Sequence, residues 1–159
     1  MQISILCVGK VREKFFADAI REYEKRLSRY TKIQIFEVTD EKTPDHASEA
    51  MEDLIRAKEG ERLKRYIREG MYTIALDIAG KQCDSVAFSR KISNLMLFGE
   101  SHIAFIIGGS LGLHSSILHS ANERLSFSMM TFPHQLMRVI LFEQIYRAMR
   151  IMNGEPYHK

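Results

Sequence analysis

Short runs of branched and apolar residues alternate along this chain with stretches of helical periodicity, and that alternation constrains the fold more than any other feature. Residues 3–8, 32–38, 72–76, 102–107 and 125–128 have the length and the Ile/Val/Phe content of strands. Between them Phe16, Ile20, Tyr23 and Leu27 recur at helical spacing over 13–27. Met51, Leu54, Ile55 and Leu63 mark the inner side of a charged helix over 48–68. Phe88, Ile92, Leu95 and Met96 mark a third, capped by Asp84 or Ser85 and running towards Leu97. Thr43 and Pro44 break the chain after the second strand, and residues 77–80 read as a turn after the third. A short helix at 115–119 precedes the fifth strand. The longest, 134–152, starts behind Pro133, which a first helical turn tolerates, and stops at Gly154. Strand and helix in strict alternation predict an α/β fold: a mostly parallel sheet of about five strands with helices on both faces, in one domain over residues 1–159.

Composition narrows the class. With 45% hydrophobic and 27% charged residues in 159, the chain can bury a core without disulfide or metal. No apolar run approaches the ~18 residues of a membrane span, and the N-terminus lacks the basic and apolar regions of an export signal. The expected location is the cytoplasm. Cys7 and Cys83 stand alone, in no C-x-x-C or Cys/His cluster, so no metal site is expected. The net charge of +3 is small, but seven basic residues (Lys10, Arg12, Lys14, Arg21, Lys25, Arg26, Arg29) face four acidic ones between positions 10 and 29. This strip is either a solvated helix face or a phosphate-contacting surface on which Tyr23 and Tyr30 stack on bases.

Ligands of parallel sheets bind beyond the carboxyl ends of the strands. Three loops lie there: the one after Leu76, the turn Gly108, Gly109, Ser110, Leu111, Gly112, and residues 127–132. The glycine turn suits either a tight reversal or a cradle in which a ligand meets bare backbone. It is not the dinucleotide fingerprint, and Gly9-Lys10 is not a P-loop, so nucleotide phosphates are not indicated. The last helix is apolar nearly all round (Leu136, Met137, Val139, Ile140, Leu141, Phe142, Ile145, Tyr146), which demands cover from the chain's own core or from a second copy. Arg138, Glu143, Arg147 and Arg150 are its polar remainder; Glu143 and Arg147 are spaced for a helical ion pair, and Arg147 and Arg150 also suit a phosphate. The ending Glu155, Pro156, Tyr157, His158, Lys159 is by spacing alone a frayed terminus.

Residues 5–10, 107–113, 125–138 and 155–159 closely resemble the bacterial pseudouridine N3-methyltransferases of large-subunit (23S) ribosomal RNA, in the SPOUT superfamily. The specific signatures are S-F-S-M-M-T-F-P-H-Q from Ser126 to Gln135 and the Pro156-Tyr157-His158 ending. The resemblance implies S-adenosylmethionine-dependent methylation of N3 of a pseudouridine in 23S rRNA of assembled 70S ribosomes. It also implies a homodimer with a C-terminal trefoil knot, without membrane or metal. By the same resemblance Leu76, Gly108, Gly109, Phe127, Ser128, Met129, Met130, Thr131 and Phe132 hold the cofactor, and the tail becomes catalytic. Histidine titrates near neutral pH, so His158 is the group to take the N3 proton. Tyr157 is then placed to stack on the base or bond its carbonyl, and Arg147, with Lys159, to steady negative charge. Lys10, Arg12 and Lys14 are the expected ribosome contacts. A non-catalytic ribosome-binding factor of the same fold is the alternative. A flavodoxin-like protein is disfavoured by the missing phosphate loop and the absence of Trp, and a radical enzyme by the lack of three clustered cysteines.

Overall fold

The computed structural model describes residues 1–159. Its elements are β1 (Gln2–Val8), α1 (Lys14–Leu27), β2 (Lys32–Val38), α2 (Glu49–Lys64), β3 (Tyr72–Gln82), α3 (Ser85–Leu97), β4 (His102–Ile107), α4 (Ser115–Ser120), β5 (Glu123–Ser126) and α5 (His134–Met152). The strands form one sheet in the order β2-β1-β4-β3-β5, and every neighbouring pair is parallel. β1 is apolar at all but two positions, Gln2 and Ser4, because both its faces are covered. Ile3, Ile5 and Cys7 join Ile20 of α1, Ile92 of α3 and Phe142 of α5 on one side. Leu6 and Val8 meet Leu63 of α2 and Ile117 of α4 on the other. Its one buried polar residue, Ser4, is satisfied by a 2.8 Å hydrogen bond between its hydroxyl and His102 Nε2. Of the two residues expected to cap α3, Asp84 does so, accepting from the Ala87 N–H at 2.7 Å, and Ser48 caps α2 by accepting from that of Met51 at 3.2 Å.

Three boundaries differ from the sequence expectation. Residues 77–80 are not a turn but part of a longer β3, whose register against β5 slips between Leu76 and Lys81. Asp and Gly mark a bulge here. A Cβ on Gly80 would stand 2.8 Å from the backbone of Arg124 and Leu125, so the close pass of the two strands requires glycine. β5 spans 123–126 rather than 125–128, which frees residues 127–132 as loop. α2 stops at Lys64, short of Arg68.

From edge strand β5 the chain crosses the carboxyl ends of the sheet and starts α5 beside β1. Arg138 anchors that start. It is the bulkiest fully buried side chain, 1% exposed, although its helix position had suggested a polar surface. Its guanidinium donates to the carbonyls of Val8 (3.2 Å) and Gly9 (2.5 Å) and to Glu37 Oε1 of β2 (2.7 Å). Only Nε lacks a partner. Removing the carboxylate strands a buried cation, so Glu37→Ala should lower stability by roughly 2–4 kcal/mol. The readout is the urea midpoint at constant m-value, with Glu37→Gln, which keeps an acceptor, losing less. An unmoved midpoint would remove this ion pair from the account.

Candidate active site

A cavity of about 630 Å³ opens at the carboxyl ends of β3, β4 and β5. Leu76 and Asp77 come from β3, residues 107–113 from the end of β4 and the glycine turn, and residues 125–128 and 130–133 from β5 and its loop. His134 and Met137 of α5 complete it. Of the residues expected to hold a cofactor, Leu76, Gly108, Gly109, Phe127, Ser128, Met130, Thr131 and Phe132 all line it. Met129 lies outside, its side chain 82% exposed. Not one lining residue is Lys or Arg, and the only carboxylate, Asp77, is held by Arg124 across the β3–β5 edge, with Nε at 2.9 Å. A smaller hollow near Glu24, Ser28 and Lys32 belongs to the opposite end of the sheet.

The walls follow from local chemistry. The turn closes through the Gly112 N–H donating to the Gly109 carbonyl at 3.1 Å, with Gly112 at φ +81°. A Cβ on Gly108 would come within 2.6 Å of the Gly112 carbonyl carbon, so no other residue fits there without moving the turn. Ser126 and Ser128 stiffen the opposite loop: the Ser126 hydroxyl donates to the Ser128 carbonyl at 3.0 Å, and the Met130 N–H donates to the Ser128 hydroxyl at 3.0 Å. Behind the turn, Glu59 is almost fully buried. Burial raises its carboxyl above the ordinary range, and the Glu41 N–H at 3.0 Å pulls the other way. Burial, then the charge of Arg138, lowers the pKa of His134, so this wall residue is neutral at neutral pH. Glu59 was hidden in a charged helix pattern. His134 stood in plain view after Pro133 but without a sign that it faced a cavity.

The tail does not reach this cavity in its own chain. Ten residues of α5 separate Met137, the last cavity residue on the helix, from Arg147, roughly 15 Å. Around Arg147 the three tail-end candidates do gather. Tyr157 donates to Glu143 Oε1 at 3.2 Å and meets the Tyr146 ring edge-on at 4.9 Å. Arg147 lies 4.7 Å over the Tyr157 ring, donates to Glu143 Oε1 from Nε at 3.0 Å, and reaches His158 Nδ1 at 3.3 Å. The Glu143–Arg147 ion pair is thus present. Burial, with Tyr23 and Glu143 adding to it, pushes the Tyr157 phenol up to about 12.

Tyr23 and Tyr30 are not free platforms for bases. Tyr23 packs on Tyr146 beneath Arg26, and the Tyr30 hydroxyl donates to Glu155 Oε2 at 2.6 Å; their apolar rings are more stable against the core than in water. Along the basic strip Lys14, Arg21 and Arg26 pair with acidic neighbours, whereas Lys10 and Arg12 are exposed without a carboxylate partner. Gln135 accepts from the Arg12 and Glu13 N–H groups at 2.9 and 3.3 Å, tying that loop to the start of α5. No group of three or more His, Cys, Asp or Glu is placed to hold a metal ion, and no helix is long and apolar enough to cross a membrane.

A family model described as "Predicted SPOUT methyltransferase" matches residues 1–158. A protein of Bifidobacterium adolescentis named ribosomal RNA large subunit methyltransferase H is 60% identical over the full length of both chains. One of the same name from Clostridium kluyveri is 57% identical, also over the full length of both. The fold is similar to a solved structure described as a probable methylase family protein from Haemophilus influenzae Rd KW20. It has TM-score 0.54 and 12% identity, over 99% of this chain and 70% of that one.

Two shifted groups set the pH range over which the tail stays docked. The raised pKa of Tyr157 means docking is favoured below the phenol's ordinary value of 10 and lost as pH climbs through about 12. The hydrogen bond from Tyr30, then the charge of Arg150, lowers that of Glu155, so its contribution is present above the ordinary carboxylate value and lost as pH falls through the depressed one. Phenolate absorbance should show one late-titrating tyrosine, absent in Tyr157→Phe and shifted to lower pH in Glu143→Gln. An unshifted midpoint in Glu143→Gln would discard this account.

Proposed function

Because the chain belongs to the SPOUT methyltransferase family, we propose that it methylates 23S ribosomal RNA with S-adenosylmethionine, at N3 of a pseudouridine in assembled 70S ribosomes, as a cytoplasmic homodimer of one knotted domain spanning residues 1–159. The names of the relatives support the RNA class, and the sequence resemblance supplies the base and the assembled ribosome. The observation that carries the reading is the cavity's lining: apolar walls, bare glycine backbone and no Lys or Arg. Such a lining fits a flat adenine and a cationic sulfonium and would bind phosphate groups poorly.

Ile107, Leu125, Phe132 and Met137 give faces for a base, while Leu76, Gly108 and the 127–132 loop present main-chain groups for its edge. Bound there, the cofactor supplies an electrophilic methyl: the N3–C bond forms, the C–S bond breaks, and the sulfonium becomes a neutral thioether. The protein must then orient N3 and remove its imide proton. His158 accepts that proton, but Arg147 first has to release it. Arginine only donates, so while Arg147 holds His158 Nδ1 the neutral ring carries its hydrogen on Nε2 and has no free acceptor. Negative charge from the substrate draws Arg147 away, leaving Nδ1 open as the base, and Tyr157 stacks on the substrate ring.

These tail groups act in the cavity of a second copy, since about 15 Å of α5 separates Arg147 from Met137, the last cavity residue on the helix. Exposed Phe15, Ile78, Met129 and Met130 favour a partner: Ile78 and Met130 line the cavity, Met129 belongs to its loop, and Phe15 follows the loop that Gln135 ties to α5.

The test is transfer from labelled S-adenosylmethionine to 70S ribosomes, free 50S subunits and naked 23S rRNA from cells lacking the activity. Label at one pseudouridine in 70S ribosomes alone is expected. Cofactor binding without label anywhere would favour a ribosome-binding factor. His158→Ala should abolish turnover; full turnover would end its role as base. Gly108→Ala should weaken cofactor binding at least about tenfold by calorimetry, because its Cβ cannot coexist with Gly112.

A further inference from the structure

We propose that Tyr30, Arg150 and Glu155 form a clamp that fixes the C-terminal tail in the orientation from which Tyr157 and His158 reach the substrate, which makes them positioning residues of the methyl transfer. The proposal rests on the reading that the tail supplies the substrate-side groups.

A tail of this length would fray after α5 unless something holds it. Backbone bonds only turn the chain: Gly154, at φ +64°, donates to the Ile151 carbonyl at 3.0 Å and the Glu155 N–H to that of Arg150 at 2.9 Å. What holds it comes from 125 residues upstream. Tyr30, just past the end of α1, donates its hydroxyl to Glu155 Oε2 at 2.6 Å. Arg150 Nη1 pairs with the same carboxylate oxygen and donates to the Tyr30 hydroxyl at 3.3 Å, closing a triangle. Its Nη2 reaches the Pro156 carbonyl at 3.4 Å, one residue before Tyr157.

The Arg150 and Glu155 side chains are only 18% and 27% exposed, so the pair is shielded from water in a way that the strip's Lys14–Asp18 pair is not. Arg150 Nε is buried without a partner, so the bonds of this guanidinium are those its two Nη groups make to Tyr30 and the tail. An aromatic step continues the line: the Tyr30 ring stands edge-on to Tyr146 at 6.2 Å, and Tyr146 to Tyr157 at 4.9 Å. The clamp before Pro156 and the Glu143 hydrogen bond after it bracket the tail on both sides, leaving His158 and Lys159 exposed at its tip.

The test uses the intact protein and two readouts. Tyr30→Phe keeps the ring and removes only the hydroxyl; Glu155→Gln keeps shape and removes charge. Both should release Lys159 and His158 to carboxypeptidase at least about tenfold faster, the scale of one lost charge-assisted hydrogen bond. Both should also lower kcat on 70S ribosomes while cofactor affinity stays at the wild-type value, because the clamp lies far along α5 from the chain's own cavity; Tm should fall more in Glu155→Gln, which leaves Arg150 without its charge partner, than in Tyr30→Phe. The exchange Arg150→Glu with Glu155→Arg should recover part of both losses that either change alone produces. Loss of turnover in His158→Ala, with wild-type kcat and tail release in Tyr30→Phe and Glu155→Gln, would overturn the clamp and leave the tail reading intact. Full turnover in His158→Ala would overturn the tail reading and the clamp's part in catalysis with it.

Discussion

Arg138 is the interaction on which the rest of the structure depends. A guanidinium that is 1% exposed is tolerable only where its charge and hydrogens find acceptors, and the carbonyls of Val8 and Gly9 with Glu37 provide them in one place. That place is the carboxyl end of β1, next to edge strand β2. Fixing the first turn of α5 there obliges the chain from β5 to cross the ends of the sheet, and the crossing segment becomes one wall of the cavity. The glycine turn is the opposite wall, with Glu59 and Val8 packed behind Gly109. A hydrophobic residue at 138 would pack α5 but would not choose this spot over others along the sheet. The directional bonds do choose.

α5 then acts as a ruler. Ten of its 19 residues, about 15 Å, lie between Met137 at the cavity and Arg147 in the aromatic and charged group. A helix that packs on both α1 and α3 cannot bend to bring the two together. The proposed chemistry needs both, so it needs two chains, and the requirement is geometric before it is evolutionary. The same rigidity explains why the tail can be organised in the absence of substrate. Tyr30, Tyr146, Glu143, Arg147 and Arg150 hold it against the packed end of α5.

Much of this was legible in the sequence, for identifiable reasons. Strands buried on both faces read as continuous apolar runs, helix starts carry their own caps, and the loops at the carboxyl ends follow from parallel order. What was not legible depends on partners distant in the chain. Arg138 sits at a position that helical periodicity alone makes polar surface; only its meeting with Glu37, 101 residues away, makes burial possible. Tyr23 and Tyr30, placed beside basic residues, looked like base-stacking platforms until the fold turned them inward to Tyr146 and Glu155. Asp77 and Gly80 carry turn chemistry, and a bulge uses the same chemistry. The tail looked frayed because its anchor lies at the end of α1.

The separation of charge in this molecule follows from the ligands proposed for it. Ribosomal RNA calls for cations, which gather counter-charge at phosphates, whereas a sulfonium cofactor is itself cationic and would be repelled by them. Lys or Arg inside the cavity would serve the first ligand at the expense of the second. The chain resolves this by placement. Lys10 and Arg12 stay outside, on a loop that Gln135 ties to the start of α5, and the nearest buried cation, Arg138, is turned towards β1 and neutralised by Glu37. His134, which does face the cavity, is kept neutral by burial and by Arg138. Burial is the larger cause of that neutrality, and the arginine that adds to it is the one that sets the start of α5.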